Sequence, residues 1–234
     1  MAQTPVQETE TRARLAVCRK IIERYADAIN AGEQKTIPEL KQLVCATDEA
    51  VRQARAKIIA GLGLRETKKQ AGEQTAAEAA QTSENLGLSQ PVYGEQYRFE
   101  KDFPAAAENA YNYVQSFAKV HHDLPVSFWL RARDIVEIGA ADSFDRTLFL
   151  CSLLLSLGCS NAKIRVLELE GGLKHPVVVF THNEKQHLFD ACQECSAYTY
   201  HGTLEQIMIE YSFEGKKPIK PVYEFNNEEY VEFD

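Results

Sequence analysis

The chain has 234 residues, 44% hydrophobic and 26% charged, the balance of a soluble globular protein of one large domain or two modest ones. Its formal net charge of −8 lies wholly in residues 97–234, where 13 Lys and Arg face 21 Asp and Glu, while residues 1–96 carry 13 of each. An acidic C-terminal portion without a basic stripe argues against nucleic acid, and no apolar run approaches the roughly 20 residues that cross a bilayer.

The first residues lack the basic and apolar regions of a secretory signal, so a cytoplasmic location is expected. The six cysteines, at 18, 45, 151, 159, 192 and 195, are then reduced thiols.

From residue 11 onward Leu15, Cys18, Ile22, Tyr25 and Ile29 recur at steps of three and four. After Gly32 the pattern restarts with Ile37, Leu40, Val44, Thr47, Val51, Ala54 and Ile58. Each set predicts a helix with one apolar seam, and the short connection predicts an antiparallel, coiled-coil-like hairpin. Thr36, Pro38 and Glu39 suit the start of the second helix. Two helices of this size have a thin core alone, so they are expected to pack on the rest of the chain or on another copy, as a homo-oligomer. Residues 68–84 are rich in Ala, Gln, Glu and Thr, as a weak helix or linker would be. The expected organisation is a helical hairpin with linker over 1–90 and a second domain over 91–234.

In the second domain residues 104–120 have a helical face of Ala107, Ala110, Tyr111, Val114 and Phe117. A short helical piece follows around 131–137. Residues 147–157 are apolar nearly all the way round, which in a soluble protein means a helix buried on several sides. Strands are expected at 162–169, 176–181 and 186–190, the last two as a hairpin. A capping-box helix should open at Thr203 and Gln206, with a final strand pair at 222–225 and 230–233. A buried helix followed by an antiparallel sheet is an α+β order.

This order lets three polar residues converge: Ser143 at the start of the buried helix, His175 opening the second strand and Asp190 closing the third. Alternation places His175 on one face with Val177 and Val179, and that face is expected to look toward the buried helix. The bland alternative is a well-capped helix, since Asp142 followed by Asp145 stabilises a helix N-terminus without any chemistry. His121, His122, His182, His187 and His201 are expected in loops or on strand edges. Cys192 and Cys195 have the C-x-x-C interval, but with no second pair a zinc site is not expected, and neither is any other cofactor.

The stretches Asp142, Ser143, Phe144, Asp145; Leu155, Ser156, Leu157, Gly158; Lys174, His175, Pro176; and Leu188, Phe189, Asp190 resemble, in this order and context, the transglutaminase-like superfamily, relatives of the papain-like cysteine proteases. The resemblance covers residues 104–192. It implies acyl transfer on an amide through a thioester (peptidase, deamidase or transglutaminase chemistry), on a protein or peptide. It further implies that position 143 is the nucleophile's, with His175 its base and Asp190 orienting the ring. Trp129, upstream of it, would line the cleft.

At the nucleophile's position this chain has Ser143. A thiol gains from a helix N-terminus because its pKa, about 8.5, lies near neutrality, whereas a hydroxyl is far less acidic. Three readings stand: a lost nucleophile, leaving a pseudoenzyme that binds a peptide in its cleft; an enzyme silenced by serine in place of cysteine; and a working serine.

Overall fold

The computed structural model describes residues 5–31, 36–66, 95–121 and 129–233. The linker expected at 68–84 lies outside them. The helical N-terminal region consists of α1 (Pro5–Ala31), α2 (Ile37–Leu43) and α3 (Glu49–Gly61). Thr36 caps α2 with Glu39 closing the capping box. The single helix expected over 37–58 is two, because Asp48 accepts the Ala50 amide at 2.8 Å and starts α3 afresh.

The seam of the second repeat is buried as expected at Leu40, Val44, Val51, Ala54 and Ile58. That of α1 is displaced: Val17 and Ile21 are buried, whereas Leu15 and Ile22 are 59% and 52% exposed. Tyr25, with φ −124° and ψ 17°, interrupts the helix, and beyond it Tyr25, Ala28 and Ile29 lean on the core. The helix therefore carries apolar residues on two sides, and burial selects the side that faces α5 and β2 (below).

Next come α4 (Phe99–Gln115), β1 (Ala118–Lys119), α5 (Ala132–Ile138), β2 (Ala140–Ala141) and α6 (Ser143–Ser156). Helix α4 begins five residues before the expected position, running through Pro104. Strands β1 and β2 form a two-residue parallel ladder. Every residue of α6 from Asp145 to Leu154 is buried.

The sheet comprises β3 (Lys163–Leu169), β4 (Leu173–His182), β5 (Lys185–Phe189), β6 (Tyr200–Gly202), β7 (Pro218–Phe225) and β8 (Tyr230–Glu232), with α7 (Leu204–Glu210) between β6 and β7. Its order is β6-β5-β4-β3-β7-β8, antiparallel throughout. The expected β4–β5 hairpin pairs His182 with Lys185. Asn183 and Glu184 both have positive φ (49° and 63°), the backbone of a two-residue type I′ turn.

The two sheet faces are covered differently. Ile164, Val178, Phe180, Phe189 and Phe225 join one continuous core with α3, α4 and α6, and this core includes Val17, Ile21 and Val51 of the N-terminal helices. Leu167, Leu169, Val177 and Leu188 pack on the opposite side against Ile207, Tyr211 and Phe213, on and after α7. The fold is α+β, with a helical N-terminal region and a buried helix packed on an antiparallel sheet.

Candidate functional site

The N-terminus of α6 is built by its own first turn. Asp142 accepts the Asp145 amide at 2.7 Å, and Asp145 turns back toward the Asp142 amide at 3.5 Å. Asp145 also accepts the Leu130 amide at 2.7 Å, which ties the segment after Trp129 to this helix. Burial and the neighbouring Asp142 charge push the Asp145 pKa well above the usual carboxylate range, against the lowering effect of those two amides. Arg146, also buried, donates to the carbonyls of Ala191 at 2.9 Å, Gln115 at 3.1 Å and Phe117.

Ser143 is half-buried in the first turn of α6. Its carbonyl accepts Thr147 Oγ1 at 2.8 Å and lies 4.0 Å from Cys192 Sγ. Thr147 Oγ1 is also 3.4 Å from the Pro176 carbonyl, which sets this end of α6 beside the start of β4. Trp129 is 9% exposed, with its ring stacked on Phe144 at 5.0 Å, next to Ser143.

His175 and Asp190 are brought into direct contact, with Nε2 3.0 Å from Oδ2 and both side chains almost wholly buried. The carboxylate accepts from three donors. Besides the imidazole, Tyr211 Oη donates to Oδ2 at 2.8 Å and the Cys192 amide donates to Oδ1 at 2.8 Å. Burial and the adjacent Asp190 push the Tyr211 phenol far above its ordinary pKa, so it remains a donor. The imidazole face lies on the Phe213 ring, centroids 3.7 Å apart and planes 20° from parallel. Lys119 Nζ sits 5.1 Å from the centroid of that same ring.

Among the described residues no hydrogen bond joins Ser143 Oγ to His175 or Asp190; the link between them is Cys192, which touches the carbonyl of the first and the carboxylate of the last. The expected orientation of His175 is corrected. It does share a face with Val177 and Val179, but α7 and the residues after it cover that face. His175 is the third residue of β4, not its first as expected, and it still lies near the strand end beside which Thr147 sets α6.

His182 and His187, expected in loops or at edges, are buried in the sheet's aromatic layer. His182 meets Phe99 and Phe103, and His187 stacks on Phe180. Edge strand β6 covers β5 and removes the edge on which His187 was placed. Cys151 is buried within α6 as expected. Burial raises the Cys192 thiol to about 11 and Cys159 to about 12. Among the described residues no group of three or more His, Cys, Asp or Glu side chains could hold a metal ion.

Sequence reasoning missed Tyr211 and Phe213. Both follow a helix whose N-terminal capping box was legible, but nothing local connects them to Asp190, more than twenty residues earlier.

No family model and no curated protein matches this chain. Among solved structures it is similar to Legionella pneumophila LapG, at 14% identity and TM-score 0.43, over 78% of this chain and 87% of that one. The EGTA-treated form gives the same identity and score over 78% and 84%. For the calcium-bound form the values are 16% and 0.42, over 54% of this chain and 66% of that one.

Proposed function

We propose that the chain follows the transglutaminase-like, papain-like plan of a thiol acyl-transfer enzyme acting on amides, with Ser143 at the nucleophile's place and little or no turnover as the sequence stands. His175 would be the base and Asp190 the group that orients it. Trp129 and Asp142 would line a cleft for a protein or peptide.

The observation that carries this reading is which ring nitrogen the acid holds. In Ser-His-Asp proteases the aspartate takes Nδ1 and the serine faces Nε2. Here Asp190 takes Nε2, which leaves Nδ1 for a nucleophile. A serine also lacks the acidity that would let it sit as a preformed anion at the α6 N-terminus. That among the described residues no hydrogen bond joins Ser143 to His175 supports a second reading, a pseudoenzyme that binds a peptide without turning it over.

The test is alkylation of the Ser143→Cys protein by iodoacetamide, with labelling located at position 143 by mass spectrometry. Labelling near neutral pH that falls at least roughly tenfold on adding His175→Ala supports the reading. Equal labelling with and without His175 overturns it. Multiple turnover of an activated ester by the Ser143 protein would show a working serine instead.

A further inference from the structure

We infer that Tyr211 is a positioning residue for the His175–Asp190 pair, acting through the oxygen that the two donors share. Asp190 Oδ2 accepts both the imidazole at 3.0 Å and the phenol at 2.8 Å, while Oδ1 is held by the Cys192 amide at 2.8 Å. A carboxylate held at one oxygen can still swing about its Cβ–Cγ bond. Held at both, from a backbone amide on one side and a buried phenol on the other, it has one orientation.

The phenol also sets how strongly Asp190 holds the imidazole. Two donors on one oxygen draw on the same electron density, so a bond to Tyr211 weakens the bond to His175. Tyr211 is fully buried, with its ring edge-on to Tyr200 at 5.2 Å, so its hydroxyl has a fixed direction. Two residues further on, Phe213 fixes the plane of the imidazole by stacking on it. The segment just after α7 therefore controls both members of the pair: one residue aims the acid and the next but one aims the ring. Among the described residues Tyr211 Oη bonds to Asp190 and not to Ser143 or His175, which makes it a positioning residue and not a catalytic one.

The experiment reads the hydrogen-bonded Nε2 proton of His175 by NMR in the protein as it stands, with the resonance assigned by its loss in His175→Gln. In Tyr211→Phe the shared oxygen serves His175 alone, and the proton resonance is expected to move downfield. Replacing tyrosine by 3-fluorotyrosine keeps the fold and makes the phenol a stronger donor, so the resonance should move upfield. That upfield shift should vanish when the fluorinated protein also carries Tyr211→Phe, which separates position 211 from the other nine tyrosines.

Opposite shifts support the inference. An unchanged resonance, or shifts of the same sign, overturns it, and if Tyr211→Phe fails to fold, 3-fluorotyrosine placed at position 211 alone decides the matter. A second readout rests on the acyl-transfer reading: in Ser143→Cys, adding Tyr211→Phe should slow alkylation at position 143 by about 3- to 10-fold. If labelling does not depend on His175, the acyl-transfer reading fails while the NMR result still judges Tyr211.

Discussion

Arg24 of α1 reaches Asp134 of α5 with Nη2 2.5 Å from Oδ1, joining positions 110 residues apart. The Asp134 side chain is 1% exposed and that of Arg24 18%, so the pair is largely withdrawn from water. Asp134 also accepts the Arg131 amide at 3.2 Å, which places it in the capping box of α5. Removing the cation strands a buried carboxylate. Arg24→Ala should cost about 3 kcal/mol of unfolding free energy by denaturant titration. Arg24→Lys, which keeps the charge, should cost less.

Asp190 holds three donors that have no ready substitute. Asp190→Ala would leave the Tyr211 hydroxyl, the His175 ring and the Cys192 amide without their acceptor in a dry site. The expected loss is about 3 kcal/mol or more. Asp190→Asn retains the shape and one acceptor oxygen and should cost less. Urea titrations of both variants decide the order; equal stability would contradict the satisfied-carboxylate account.

Burial pushes the His187 pKa down, aided by the charges of His201, His182 and Lys185 and opposed by a backbone hydrogen bond at His182. Among the described residues its buried Nδ1 has no hydrogen-bond partner, and neither has His182 Nε2. A histidine with a depressed folded pKa takes up its proton more readily when unfolded. Its neutral form contributes fully above the unfolded value of about 6.5, and that contribution is lost as pH falls below it. Tm should therefore drop between about pH 7 and 5, and His187→Phe should reduce that drop. The comparison is made by calorimetry at both pH values.

Thiol reactivity should divide by burial. Cys18, Cys45 and Cys195 are half-buried, whereas Cys151, Cys159 and Cys192 are buried, with their thiols raised above the ordinary range by that burial. A disulfide exchange reagent near neutral pH should modify the first three in the native protein and all six after unfolding. Rapid native labelling of Cys192 would show that the contact with the Ser143 carbonyl opens.

Gly158 has φ +106°, and a Cβ there would meet Phe99 Cδ2 at 3.1 Å. Gly158→Ala combines a backbone conformation unsuited to L side chains with a crowded ring. It should destabilise by roughly 1–2 kcal/mol, read from the denaturation midpoint at constant m.

The elements with strong local signals were legible in the sequence. The all-round apolar stretch gave α6, the Asp142 and Asp145 pair gave its start, and the β4–β5 hairpin followed from two apolar runs with a short break. The split between α2 and α3 was hidden because Val44, Thr47 and Val51 continue the three-and-four spacing through a turn. The buried side of α1 was hidden because Leu15 and Ile22 make as good a stripe as Val17 and Ile21, and only tertiary contact chooses. Strands β1, β2 and β6 are two or three residues long, too short for any periodicity. At the site, His175 and Asp190 could be paired from the hairpin. Tyr211 and Phe213 could not, since their positions depend on how α7 lies across the far face of the sheet.

Arg146 gives the region its mechanical character. One guanidinium grips the carbonyl beyond Asp190, the last carbonyl of α4 and the chain entering β1, all from the second turn of α6. These segments cannot separate individually, because loosening any of them exposes a buried cation to a weakened set of acceptors. The three segments held by Arg146 should therefore move as a block, and amide exchange at 115–118, 146 and 191–193 should open at a single common free energy.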